Sequence, residues 1–181
     1  MQLTAVPREP STGGEPLAEF GSPQPAARLT LLLTGLGFTA VAETRVGGVA
    51  RQYELQRVLV PEAERAQLNR RMTVAWQWGR QQLLDTETRG SLASVHSRRV
   101  AVARYAWQAV LLAGAPRRRA GELRVKLGDP ETADLLVRGA RIIGVTGEVI
   151  RRQGCFVVAV ANAAVPLLTT APTTRVPAGA F

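Results

Sequence analysis

One order of elements occurs twice in this chain, and it constrains the fold more than any single motif. In the first occurrence Leu29, Leu32, Leu33 and Leu36 share one face of a helix running from Pro25 or Ala26 to Leu36, with Gly37 placed to terminate it. Two extended segments follow, Phe38–Arg45 and Gln52–Val60, joined through Gly47-Gly48 as a β-hairpin in which Tyr53 and Leu55 alternate with Glu54 and Gln56. In the second occurrence Leu123, Val125 and Leu127 alternate with Glu122, Arg124 and Lys126, the pattern of a strand with one wet, basic face. Asp129 then offers an N-cap, Pro130 suits the first turn and Glu131 complements the helix dipole. Leu135, Leu136, Gly139 and Ile143 form the buried face of that helix before Gly144 stops it. A second hairpin runs from Val145–Ile150 through Arg151-Arg152-Gln153-Gly154 into Cys155–Ala161, an unbroken apolar run suited to a central strand.

Leu36-Gly37-Phe38-Thr39 and Ile143-Gly144-Val145-Thr146 thus stand at equivalent points, each where a helix ends and a hairpin begins. With Gln2–Val6 read as a strand, each half is a β-α-β-β unit. The expected fold is α+β: two such units forming a mostly antiparallel sheet, with a basic antiparallel helical hairpin inserted between them.

The insert spans residues 61–115. Pro61 opens it ahead of Glu62 and Glu64, and Leu68, Met72, Ala75, Gly79 and Leu83 make a heptad-like stripe. Met72, Val74, Trp76 and Trp78 alternate in β fashion, but the Ala, Gln, Arg and Leu around them favour helix. A second helix runs from Glu87 or Gly90 to Ala113, and the two join near Asp85–Gly90. This second helix has two apolar stripes, Leu92–Val95–Val102–Ala106–Ala109–Ala113 and His96–Val100–Ala103–Trp107–Leu111. Together they cover an arc of about 200°, twice what a surface helix needs. Such a helix is buried on two sides, by the sheet of its own chain or by a second subunit. The second option makes Val95, Val102, Ala106, Trp107 and Val110 an oligomer interface.

With 181 residues, 46% of them apolar, the chain has room for one globular domain and a sizeable core. Its expected limits are 26–161, flanked by Pro- and Gly-rich segments, 1–25 and 162–181, of low order. The lone Cys155 excludes an intrachain disulfide and a Cys cluster for zinc, which fits a reducing compartment. Met1 precedes no basic n-region, and Leu29–Ala42 and Ala106–Ala115 are too short to span a bilayer, so a cytoplasmic location is expected and a membrane role is not. Lys126 is the sole lysine among 23 basic residues, a bias of GC-rich coding such as that of some bacteria and phages.

Coding bias does not explain where the charge lies. Residues 65–119 carry 11 Arg against Asp85 and Glu87, while the rest of the chain balances at 12 to 12 within a net charge of +9. Arg70, Arg71 and Arg80, with Arg98 and Arg104 and the run Arg117-Arg118-Arg119, are the candidate nucleic-acid contacts, because guanidinium forks bind phosphate oxygens bidentately. Trp76, Trp78, Tyr105 and Trp107 are interleaved with them and could stack on unpaired bases or belong to the core.

Catalytic candidates are few. His96 stands alone on the apolar arc, where a core or interface role is expected. Cys155 in an apolar strand is an inert, structural thiol. Asp85-Thr86-Glu87 lacks a complementary base, and neither Thr34-Gly35-Leu36-Gly37 nor Thr12-Gly13-Gly14 matches a phosphate-binding fingerprint. The expected function is a non-enzymatic, oligomeric nucleic-acid-binding protein that holds the phosphate backbone through its Arg-rich hairpin. It needs no cofactor, metal or small-molecule substrate. The alternative is a structural or scaffold subunit that uses helix 90–113 as an interface.

Overall fold

The computed structural model describes residues 15–47, 53–84, 92–113 and 116–170. Its contacts divide the chain into two compact units, residues 1–68 and 69–181, where the length had suggested one body.

The first unit runs β1 (Ala18–Phe20), α1 (Pro23–Gly35), β2 (Val41–Gly47), β3 (Tyr53–Leu59) and the first turns of α2 (Glu62–Leu84), a helix that continues across the division. Extended Ser22 and the fixed φ of Pro23 start α1 two residues ahead of Pro25. Gly37, at φ +85°, closes it, and the Phe38 N–H donates back to the Leu33 carbonyl at 3.0 Å, which turns Phe38 into the core. The sheet order is β1-β3-β2 with both pairings antiparallel. Its buried residues are Ala26, Leu33, Phe38, Val58, Val60 and Leu68. The strand preceding α1 is therefore β1, inside the stretch expected to be poorly ordered; Gln2–Val6 and the Gly48 turn lie outside the described residues. Leu17 and Phe20 pack on the core, and that burial holds β1 in place.

The second unit contains the rest of α2, then α3 (Leu92–Ala113), β4 (Arg117–Arg119), β5 (Glu122–Leu127), α4 (Pro130–Ile142), β6 (Gly147–Arg152), β7 (Cys155–Ala161), a 3-10 turn and α5 (Val165–Thr169). The β5-α4-β6-β7 stretch repeats β1-α1-β2-β3 down to its helix closure. Gly144 sits at φ +87°, and the Val145 N–H donates to the Ala140 carbonyl at 2.8 Å. The sheet order β4-β5-β7-β6 contains the same arrangement, with the last strand of the unit in the middle.

Trp107, Leu123, Val125, Leu136, Val158, Val160 and Leu168 share the main core, so α3, α4 and α5 pack on the face that carries Leu123 and Val125. The Trp107 indole N–H donates to the Leu136 carbonyl at 3.1 Å, satisfying the one polar atom of a wholly buried ring. Leu168 at 0% exposure extends the ordered body past residue 161, the limit set by composition.

Two expectations change. The repeated units build two sheets instead of one. The helical insert is also not a hairpin packed along its length: α3 lies against α4 and α5, and from α2 only Trp78, Leu83 and Leu84 join Val102, Ala103 and Leu135 in a common cluster. The apolar stripe of α2 is divided between two cores: Leu68 packs in that of the first unit and Leu83 against α3 and α4, while Met72 on the same stripe is 53% exposed.

Candidate nucleic-acid interface

Antiparallel register decides which charged side chains of the second sheet share a face, because residues directly opposite one another point the same way and neighbours along a strand alternate. Ala120 and Gly121, both at positive φ, make a tight turn that folds Arg117–Arg119 back on β5, pairing Arg117 with Arg124, Arg118 with Leu123 and Arg119 with Glu122. Arg118 therefore lies on the side of the buried Leu123, and Arg117 and Arg119 lie with Glu122, Arg124 and Lys126 on the opposite side. Across β7 and β6 that side continues through Cys155, Val157, Ala159 and Ala161 to Glu148, Ile150 and Arg152.

The result is a sheet face with five cations, Arg117, Arg119, Arg124, Lys126 and Arg152, against two carboxylates, Glu122 and Glu148. The Arg124 guanidinium donates to one Glu122 oxygen from Nη2 at 2.8 Å and Nε at 3.0 Å, which fixes both side chains. Arg117, Arg119, Lys126 and Arg152 are exposed and make no ion pair among the described residues. The core helices occupy the other face, and none of the described residues on this face is aromatic.

The remaining predicted arginines do not converge. Arg71 and Arg80 are nine residues apart, about 900° of helix, and so point to opposite sides of α2. Arg80 is paired with Glu131 on α4. Arg70, Arg71 and Arg98 are exposed, and Arg104 is half-buried, its Nε without an acceptor among the described residues. Of the eight predicted contacts, register unites Arg117 and Arg119; Arg124, Lys126 and Arg152, which complete the face, were not on the expected list. The alternation Glu122-Arg124-Lys126 announced a basic face, but only the Ala120-Gly121 turn adds Arg117 and Arg119 to it.

The proposed oligomer interface on α3 belongs instead to the chain's own core. Trp107 is fully buried, Val102 is buried with Leu83 and Leu135, and half-buried Ala106 and Val110 pack on the main core, with Val95 also half-buried. The arc was wide because α3 faces α4 on one side and α2 and α5 on others. His96 is exposed, off the core altogether, and Trp76 and Tyr105 are also exposed on the helices. Cys155 is buried in β7, as its apolar strand implied.

A groove of about 840 Å³ runs between α4, the end of α2 and β6; Arg80, Arg138 and Arg141 line it against Glu131, Asp134 and Glu148, a balanced set with no bias toward either charge. Asp85 and Glu87 lie outside the described residues. Among the described residues no three His, Cys, Asp or Glu side chains come together as a metal site, and no helix is long and apolar enough to cross a membrane.

No protein-family model matches the sequence, and no curated protein does. Among solved structures, full-length DUF199/WhiA from Thermatoga maritima matches over 87% of this chain at 13% identity and a TM-score of 0.54. The N-terminal LAGLIDADG domain of DUF199/WhiA matches at 12% identity and a TM-score of 0.49, covering 83% of this chain and 66% of that one. I-DmoI in complex with DNA and Mn matches at 13% identity and a TM-score of 0.46, covering 87% and 80%. The chain spans about half the length of the full-length DUF199/WhiA structure, 47%, and at 13% identity the two share an α+β fold.

Proposed function

We propose that this chain is a nucleic-acid-binding protein that holds the phosphate backbone on the open face of its second sheet, and that it acts by binding rather than by catalysis. One observation carries this reading: the β4–β5 register gathers Arg117, Arg119, Arg124 and Lys126 on the face opposite the one on which α3, α4 and α5 pack. Alternate residues along a strand are about 6.8 Å apart, about twice the axial spacing of phosphates along one strand of a duplex. The arginines offer bidentate donors to those phosphates. Single-strand readers need aromatic platforms for unpaired bases, and the described residues of this face supply none, which favours a duplex.

The test is a fluorescence-anisotropy titration of duplex and single-stranded oligonucleotides across a salt series. Duplex binding should be tighter, and the slope of log affinity against log salt should reflect about 0.9 per phosphate engaged. Arg117→Glu with Arg119→Glu should flatten that slope, whereas Arg70→Glu with Arg71→Glu should leave most of it. Absence of binding at low salt, indifference to salt, or loss through the helix variant alone would overturn the assignment. Cleavage of the duplex in magnesium or manganese would overturn its non-catalytic part.

A further inference from the structure

The exposed edge of the first sheet has a composition that the other sheet edges lack. β2 is an edge strand of seven residues, Val41-Ala42-Glu43-Thr44-Arg45-Val46-Gly47, with Val41 57% and Val46 59% exposed. Among the described residues no strand pairs with its outer side, whose main-chain N–H and C=O groups are a template for another strand. By contrast, β4 is three arginines, β1 has only three residues, and β6 ends in Arg151-Arg152 with Val149 and Ile150 already half-buried.

The sequence of β2 is complementary to itself when reversed. Placing Thr44 opposite Thr44 of a second copy sets Ala42 against Val46 and Glu43 against Arg45, twice each by symmetry. Register with β3 puts Glu43 and Arg45 on one face of the sheet and Ala42, Thr44 and Val46 on the other, so the charged pairs and the apolar pairs fall on separate sides. The charges also need partners. Arg57 already receives both Glu19, at 3.3 Å, and Glu43, at 3.2 Å, so two carboxylates share one cation, while Arg45 is exposed and makes no ion pair among the described residues.

We propose that β2 pairs antiparallel with β2 of a second copy of this chain, joining two three-stranded sheets into one of six about a two-fold axis through Thr44. In the dimer Arg45 of each chain becomes the second cation for the Glu19–Arg57–Glu43 group of the other, and the exposed Val46 is covered by Ala42 across the strand pair. The proposal does not depend on nucleic acid, and its test uses none.

Light scattering of the full chain at micromolar concentration should report a dimer. Arg45→Glu, which sets Glu against Glu43 at both ends of the pairing, should weaken it by about tenfold or more while leaving the circular dichroism unchanged. Thr44→Cys should form an intermolecular disulfide rapidly under mild oxidation, because the two-fold sets the two Thr44 Cβ atoms directly opposite, and Ala27→Cys on α1 should not. A monomeric wild-type chain, a dimer indifferent to Arg45→Glu, or a Thr44→Cys variant that cross-links no faster than Ala27→Cys would overturn the proposal.

Discussion

Aligning Gly37 with Gly144 sets Ser22-Pro23 opposite Asp129-Pro130, Ala26 opposite Ala133 and Leu32 opposite Gly139. At that last position the two units diverge. A Cβ on Gly139 would lie 3.3 Å from the Ala103 Cβ and 3.6 Å from its Cα, so the missing side chain is what lets α3 approach α4. Leu32 has no such neighbour and is half exposed, together with Leu31 and Leu36. Accordingly α4 buries Ala133, Leu135, Leu136, Val137, Gly139 and Ala140, whereas α1 buries Ala26 and Leu33 alone. Two helices of the same length thus differ in burial: α4 is a core element where α3 lies on it, and α1 leaves Leu31, Leu32 and its C-cap Leu36 exposed.

The open faces of the two sheets differ in a parallel way. In the first, Arg57 is held between Glu19 and Glu43, and with Arg45 the charges balance. In the second, cations outnumber carboxylates five to two. Paired charges of the first kind contribute little to steering a polyanion, and unpaired ones contribute most. That contrast is why the second sheet, and not the first, is proposed as the nucleic-acid surface.

The largest test of the contrast is in the cores. Trp107→Ala removes a wholly buried ring together with its indole hydrogen bond to the Leu136 carbonyl, and should cost about 3–5 kcal/mol by denaturant unfolding. Leu33→Ala, in the thinner core, should fall toward the lower end of the range of about 2–5 kcal/mol. Equal losses would mean that the first unit is packed as tightly as the second.

The exchange of equivalent helix residues is next. Gly139→Leu must displace α3 and should cost about 1–3 kcal/mol. Leu32→Gly meets nothing and should cost only the helix propensity, about 1 kcal/mol. A harmless Gly139→Leu would refute the close approach of α3 to α4.

The smallest effect is at the caps. The Asp129 side chain accepts from the Thr132 hydroxyl at 2.6 Å and its N–H at 2.7 Å, which together hold the Asp129 carboxyl below its ordinary value of 3.8. A carboxylate so depressed adds stability that is fully present above pH 3.8 and is lost as the pH falls through its folded value. Asp129→Ala should thus lower the melting temperature at neutral pH, and the difference from wild type should fade in acid. Ser22 makes no side-chain cap bond, so Ser22→Ala should change little at either pH. A pH-independent deficit in Asp129→Ala would show that the cap acts through something other than its charge.

Local chemistry was enough to read much of this chain. The Asp129 cap, the glycines that close both helices, the two hairpins and the wet face of Glu122-Arg124-Lys126 all follow from residues within a few positions of one another, which is where capping, turn and alternation forces act. What the residues could not convey depends on distant partners. That Trp107 meets Leu136, that α3 lies on α4 rather than along α2, that the repeated units make two sheets, and that Arg117 and Arg119 join Arg124 and Lys126 are outcomes of packing and register. An apolar arc states how much surface must be buried but not against which element, because the hydrophobic effect has no direction. A run of arginines states a charge, and only strand register decides which face presents it.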